Sequence, residues 1–190
     1  MSTTSDTKTQ LLDAAQELVT RRGFNAFSYK DLAEVVGIRT ASIHYHFESK
    51  AKLGQALMQR YTSELEGALA GFDQRLRSEK ARLEAFIGMY TDTEKRGAMC
   101  LCGSFASDLG TLPGEIADEV QAYLDRCEAW VKACLVAGIA TGEFRATSKP
   151  ADLAASLVAG LQGGLILARA QSGSPLLARV RRSFLQNLDA

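Results

Sequence analysis

Proline occurs only at 113, 150 and 175 in this 190-residue chain, and each stands where a run of helically spaced apolar residues begins. Inside a helix proline removes a hydrogen bond and clashes with the preceding turn, whereas at the first helical position it is tolerated. The chain is therefore free to be helical nearly throughout. β-branched residues never keep up the period-two alternation that a half-buried strand requires. The expected fold class is all-α, with no internal repeat and no low-complexity tract.

The N-terminal part sets out four helices. Leu11, Leu12, Ala15, Leu18 and Val19 share one helical face, and Arg21-Arg22-Gly23 supplies the basic end and the glycine turn that stop it. Phe24 and Phe27 then pack beneath that helix. Ser28-Tyr29-Lys30-Asp31 fits a helix-capping pattern, ahead of apolar Leu32, Val35 and Val36. Gly37 ends this second helix. A third, short helix spans about 39–47, and Ser49 caps a longer fourth that carries Leu53, Leu57, Tyr61 and Leu65.

Two short helices joined by a tight glycine turn match the helix-turn-helix, whose second helix enters the major groove of duplex DNA. Here the scaffold helix is 28–36, the turn Gly37-Ile38, and the reading helix 39–47, with the sequence RTASIHYHF. Ala41 and Ser42 are small enough for the backbone to approach base edges. Arg39, Thr40 and Ser42 place donors near the N-terminal end, where such helices touch bases. Ile43 and Phe47, four apart, face the core. Tyr45, His46 and Lys50 reach for phosphates, and Ser28 stands at a helix N-terminus, itself a favourable anion site. Three short helices also suit a plain bundle, and spacing alone does not choose between the two.

The stretch 23–53 resembles the N-terminal domain of the TetR/AcrR family of transcriptional regulators. The Gly23-Phe24 turn, Asp31-Leu32-Ala33, Val36-Gly37-Ile38, and the run Tyr45-His46-Phe47, Ser49-Lys50 and Leu53 carry the likeness. His44 departs from it, because many members carry a tyrosine there that touches phosphate. A histidine still donates, with a weak pH dependence. The resemblance implies a DNA-binding domain over 1–48 and a helical domain over 49–190 that holds a small ligand and makes a homodimer. It further implies a repressor that a small-molecule inducer releases from a near-palindromic double-stranded operator. No cofactor, no metal and no enzymatic activity are expected.

Beyond Gly71, helices are expected at 78–93, within 104–109, and at about 113–140, 150–171 and 175–188. Gly142 and 145–149 form a loop, Ser172-Gly173-Ser174 separates the last two helices, and Ser174-Pro175 is a cap followed by proline. Ile116, Val120, Tyr123, Cys127, Val131 and Cys134 share one face of the long helix. Segment 150–171 carries Leu153, Ala154, Leu157, Val158, Leu161, Leu165 and Ala168, with Gly160, Gly163 and Gly164 permitting close helix approach. In the family, two C-terminal helices per subunit form a four-helix bundle, and 150–171 with 175–188 are the candidates here. An interior helix of a monomer carries the same pattern.

Candidate pocket walls are Phe86, Met89, Tyr90, Phe105, Tyr123, Trp130 and Leu161, each equally readable as plain core. Cys127 and Cys134 face the same side as the pocket. Cys100-Leu101-Cys102 precedes a short helix and follows Lys95 and Arg96, where positive charge and a helix N-terminus lower a thiol pKa. Some family members sense electrophiles or oxidants through cysteine, so a thiol-switched repressor is the alternative to simple ligand release. Small buried hydrophobes are the plainer reading of both residues. Zinc finds no partners for this C-x-C spacing, since both histidines sit in the reading helix.

Net charge is zero and the pI about 6.7, so no global basic signature marks a nucleic-acid binder. Charge is split, however: residues 1–61 hold 8 Lys/Arg against 6 Asp/Glu, and the rest 14 against 16. A local reading head is enough for DNA. The apolar-rich stretch 153–170 is broken by Ser156, Gln162 and glycines, and the polar start has no signal-peptide core, so a cytoplasmic, membrane-free protein with reduced cysteines is expected. A small helical enzyme built on the thiols or on His44 and His46 is the reading from another class. Those histidines point to different helix faces, and no phosphate loop or nucleophile elbow occurs.

Overall fold

The computed structural model describes residues 4–145, 148–171 and 175–189. Among them are nine α-helices and no strand. In chain order these are α1 (Thr4–Arg22), α2 (Tyr29–Val36), α3 (Thr40–His46), α4 (Lys50–Arg75), α5 (Glu79–Lys95), α6 (Leu101–Asp108), α7 (Gly114–Ala140), α8 (Pro150–Ala170) and α9 (Leu176–Asp189). A 3-10 turn over Leu109–Thr111 follows α6. The expected separator 172–174, the cap at Ser174 and part of the loop 145–149 lie outside the described residues.

Local chemistry sets most of the boundaries. Ser28 and Asp31 form a complete capping box at the start of α2. Gly37 ends α2 in the left-handed conformation, φ 75°, with its N–H on the Ala33 carbonyl at 2.9 Å. A side chain there meets the steric penalty that glycine avoids. Ser49 and Ser78 each accept a hydrogen bond from the backbone N–H three residues on, at 3.2 and 3.1 Å. Two boundaries differ from the sequence reading. α1 starts earlier, at polar Thr4, where no apolar spacing marks it. α6 starts at Leu101 rather than about 104, because Leu101–Phe105 are all buried and their backbone groups need partners away from water.

The helices group into two compact units. One comprises Met1–Ser63 with Leu101–Gln121, the other Glu64–Cys100 with Ala122–Ala190. In the first unit, α1 packs on α2 and α6, α2 on α3, and Arg60 of α4 binds Asp13 and Gln16 of α1 at 2.6 and 2.7 Å. Leu11, Ala15, Val19, Leu32, Ile43, Leu53 and Leu57 make its core.

In the second unit α5, α8 and α9 pack on one another. The Glu143 carboxylate accepts the first two backbone N–H groups of α5, both at 2.9 Å, at the end where the helix dipole favours negative charge. Tyr123, Cys127, Val131 and Cys134 of α7 are buried, as the shared face predicts. α8 and α9 approach closely at Gly164, where an added Cβ lies 2.5 Å from Leu177 Cδ2. Contrary to the sequence reading, α8 is long and apolar enough to cross a membrane by length and composition alone. It packs on α5 and α9 with Ala154, Leu157, Val158, Leu161, Gly164, Leu165 and Ala168 buried, so it is a core helix.

Candidate nucleic-acid interface and candidate ligand site

The reading helix is shorter than expected by one residue at each end, with Arg39 as its N-cap and Phe47 as its C-cap. Ile43 and Phe47 are buried at 0% and 4% exposure, which fixes the rotation of the helix. The opposite face is then dictated by the period of 3.6 residues. Arg39, Thr40, Ser42, His44 and Tyr45 are all exposed there, Tyr45 at 78%, and His46 is half-buried.

Second contacts hold this face in place. The Tyr29 hydroxyl donates to the Phe47 carbonyl at 2.9 Å, joining the first turn of α2 to the end of α3. Burial pushes this phenol up to about 12. The His44 ring packs edge-on against Tyr29 at 4.9 Å, and its Nδ1 lies 3.3 Å from the Glu48 carbonyl. A carbonyl only accepts, so Nδ1 carries the proton and Nε2 is left to the outer side. The departure at His44 is therefore built into the fold of the head.

Two expected phosphate contacts are engaged inside the head. Lys50 donates to the carbonyls of Phe24 and Phe27, and its ammonium lies 4.6 and 4.4 Å from the centroids of their rings. Partial burial lowers its pKa, while Asp108 and Asp31 act the other way. The Ser28 hydroxyl donates to the Asp31 carboxylate, whose pKa the Ser28 hydrogen bonds hold below the usual range. The same inter-helix loop is pinned from its other side. Asn25 donates through its backbone to Asp108 at 3.3 Å and through its side chain to Thr111 at 2.7 Å, and the Phe24 ring meets Phe105 at 5.0 Å. Asn25 and Asp108 had no signal in the sequence, because neither stands in a periodic or motif position.

Of the expected pocket residues, Phe105 and Cys102 belong to the first unit, where the Cys102 thiol donates to the Val120 carbonyl at 3.8 Å. Phe86, Met89, Tyr90, Cys100, Tyr123, Cys127, Trp130 and Leu161 all fall in the second. There Phe86 bridges the Tyr90 and Trp130 rings at 5.5 and 5.7 Å. Gln162 Nε2 reaches Tyr90 Oη at 3.5 Å and Cys100 Sγ at 3.4 Å. In the sequence Gln162 reads as an interruption of an apolar run. A lone amide on the inner side of such a helix was the available signal.

The reactive-thiol expectation finds no support. Cys100 and Cys102 are 3% and 0% exposed, whereas reactive cysteines are partly open to solvent. Lys95 binds Asp92 at 2.9 Å and Arg96 binds Thr93 at 3.2 Å. Burial pushes the Cys127 thiol up to about 12 and Cys134 higher still. No group of three or more His, Cys, Asp or Glu among the described residues is placed to hold a metal ion.

Two family models match the chain. Residues 80–184 match the tetracyclin repressor-like C-terminal domain, and residues 11–57 match the bacterial regulatory proteins of the tetR family. Among curated proteins, the chain is similar to the HTH-type transcriptional repressor DhaR of Mycobacterium sp. (strain GP1), 26% identical over 82% of this chain and 79% of that one. Among solved structures, a TetR-family transcriptional regulator from Agrobacterium tumefaciens superposes with a TM-score of 0.95 at 31% identity, covering 99% of this chain and 100% of the other. A TetR transcriptional regulator from Legionella pneumophila does so with 0.88 at 30% identity, covering 100% and 99%.

Proposed function

Because the chain belongs to the TetR family of bacterial regulatory proteins, we propose that it is a cytoplasmic, homodimeric repressor of transcription that binds a near-palindromic operator. The observation that carries this reading is the split of α3, with Ile43 and Phe47 buried and Arg39, Thr40, Ser42, His44 and Tyr45 exposed beyond the left-handed Gly37. Arg39, Thr40 and Ser42 read base edges. Tyr45 and His46 hold phosphates, and His44 does so through Nε2 as the imidazolium. Lys50 and the Ser28 side chain act one step back, by fixing the loop and helix that present this face. Division of role falls between 1–48 for DNA and 49–190 for ligand and dimer.

Homodimerisation through α8 and α9 is supported by Ile166 and Leu167, 46% and 50% exposed on a helix whose opposite face is buried. A two-fold axis through such a seam matches a two-fold operator. A small-molecule inducer bound in the second unit lowers operator affinity by favouring the state that does not fit DNA. The family is one of regulators and not of enzymes, which leaves the helical-enzyme reading without footing.

The test is footprinting of the purified chain on genomic DNA, followed by titration of the protected fragment against a scrambled duplex at physiological salt. Specific binding at least about a thousandfold tighter than the scrambled control is expected. Arg39→Ala reduces that ratio by about 1–3 kcal/mol while leaving scrambled binding nearly unchanged. Equal affinity for both duplexes overturns the reading.

A further inference from the structure

Residues 1–61 hold 8 Lys and Arg side chains, and the first unit engages most of them internally. Arg21 pairs with Glu17 at 3.1 Å and Arg60 with Asp13 at 2.6 Å. Lys52 lies 3.9 Å from Glu115 and donates to Gln55 at 3.3 Å. The Asp31 carboxyl is held low by its Ser28 hydrogen bonds and, further, by the charge of Arg22. Lys50 is taken up by the carbonyls of Phe24 and Phe27. Arg39, the N-cap of α3, is assigned to base edges in the proposed reading. Lys8 of α1 and Lys30 of α2 remain. Both are exposed, and neither ammonium has a hydrogen bond or ion pair among the described residues.

Both stand by the same end of the reading helix. The Lys8 ammonium lies 5.8 Å from the centroid of the Phe47 ring, and Phe47 is the C-cap of α3. A ring face attracts the charge, yet most of the three N–H donors stay available for another partner. Lys30 follows Tyr29, whose hydroxyl donates to the Phe47 carbonyl at 2.9 Å, so the first turn of α2 is tied to that residue too. Glu34, one turn beyond Lys30, forms no ion pair with it among the described residues, and Lys before Glu is the weaker order for such a pair. The neighbouring acids have partners of their own: Asp31 accepts from Ser28 at 2.7 Å and Asp6 from Gln10 at 3.3 Å.

Duplex DNA asks for such cations. Neutral donors such as Thr40, Ser42 and Tyr45 hydrogen-bond a phosphate but displace no condensed counter-ion, and salt-dependent affinity comes from Lys and Arg. Arg39 is the only one of these in 39–47. We propose that Lys8 and Lys30 are the phosphate-neutralising cations of the head, holding the operator backbone at the Phe47 end of α3. The proposal rests on reading α3 as the helix that enters the major groove. An ammonium is a compact point charge, so these contacts supply affinity and register and carry no sequence information.

The experiment is fluorescence-anisotropy titration of the full-length protein on a mixed-sequence duplex between about 50 and about 200 mM KCl. Lys8→Gln and Lys30→Gln are each expected to lower the slope of log affinity against log salt by about 0.9 per copy. Lys8→Arg and Lys30→Arg restore the slope, because the charge is kept. Lys52→Gln, which removes an already paired charge, leaves it as in the parent. A merely structural role for Lys8, as a cover for Phe47, lowers the urea midpoint without moving the slope. A slope that survives both glutamine substitutions overturns the proposal. On the footprinted operator the two glutamine variants lose affinity in step with the mixed duplex, so the ratio between the two stays within about twofold. A tenfold fall in that ratio makes the lysine a base reader and overturns the proposal as well. The regulator reading fails on a different result, equal affinity of the parent for operator and mixed duplex, which leaves the salt slopes standing. Absence of duplex binding by the parent at the lowest salt overturns both.

Discussion

The Lys50 ammonium lies 4.4 Å from the centroid of the Phe27 ring and donates to the carbonyl oxygen of that same residue. With the matching pair of contacts to Phe24, it closes the loop between α1 and α2 onto the first turn of α4. A charge-assisted hydrogen bond contributes about 1.5–3 kcal/mol when well shielded, and a half-open lysine realises the lower part of that range. Lys50→Met is expected to lower stability by about 1–2 kcal/mol in urea unfolding. Its effect on operator binding distinguishes its role. A lost phosphate contact reduces the slope of log affinity against log salt by about 0.9 per copy. An unchanged slope with weaker binding is expected, because the ammonium is spent inside the head.

Tyr29 gives the head a pH limit on the alkaline side. Its hydroxyl donates to the Phe47 carbonyl, and burial raises its pKa from about 10 to about 12. The folded state therefore holds the proton more tightly than the unfolded one. Stability from this group is complete below pH 10 and is lost as pH rises through 12. Urea midpoints measured across this window should fall less steeply for Tyr29→Phe than for the parent. The phenylalanine variant also loses the tie between α2 and α3, so it starts from a lower midpoint at neutral pH.

Cysteine chemistry should be quiet in the native state. All four thiols are buried, and Cys127 and Cys134 are raised by desolvation. Alkylation by iodoacetamide at neutral pH is expected to be slow for every cysteine until denaturant is added, with modification then tracking unfolding. Fast labelling of Cys100 in the folded protein restores the thiol-switch reading.

Much of this was legible in the sequence where one local signal decides the outcome. Ser28 with Asp31, Gly37, and the four-residue step from Ile43 to Phe47 each specify their own geometry, and the buried side of α3 followed from them. The start of α6 at Leu101-Cys102-Gly103 carries no period in the sequence, and these residues are buried. Lys50 was placed on phosphate because a lysine at a helix start is ordinarily free. Its real partners are backbone carbonyls 26 and 23 residues earlier, which no spacing rule reaches. The interior of the second unit was harder still. Tyr90, Cys127 and Gln162 each look like core residues one at a time, and only their convergence makes them a polar cluster.

The closest test of the α8–α9 seam is a change of sign. An added Cβ at Gly164 lies 2.5 Å from Leu177 Cδ2, and Leu177 is fully buried, so its side chain has little room to turn away. Overpacking of this kind costs about 1–3 kcal/mol. Replacing glycine by alanine inside a helix contributes about 1 kcal/mol in the other direction. Gly164→Ala in the parent is therefore expected to be neutral or destabilising. Leu177→Ala alone removes a buried leucine and costs about 2–5 kcal/mol. In that background the clash is gone and the new methyl occupies part of the vacated space. Gly164→Ala then stabilises by about 1 kcal/mol, giving a positive coupling between the two sites in a double-mutant cycle. Equal effects of Gly164→Ala in both backgrounds would show that α8 and α9 do not meet at this glycine.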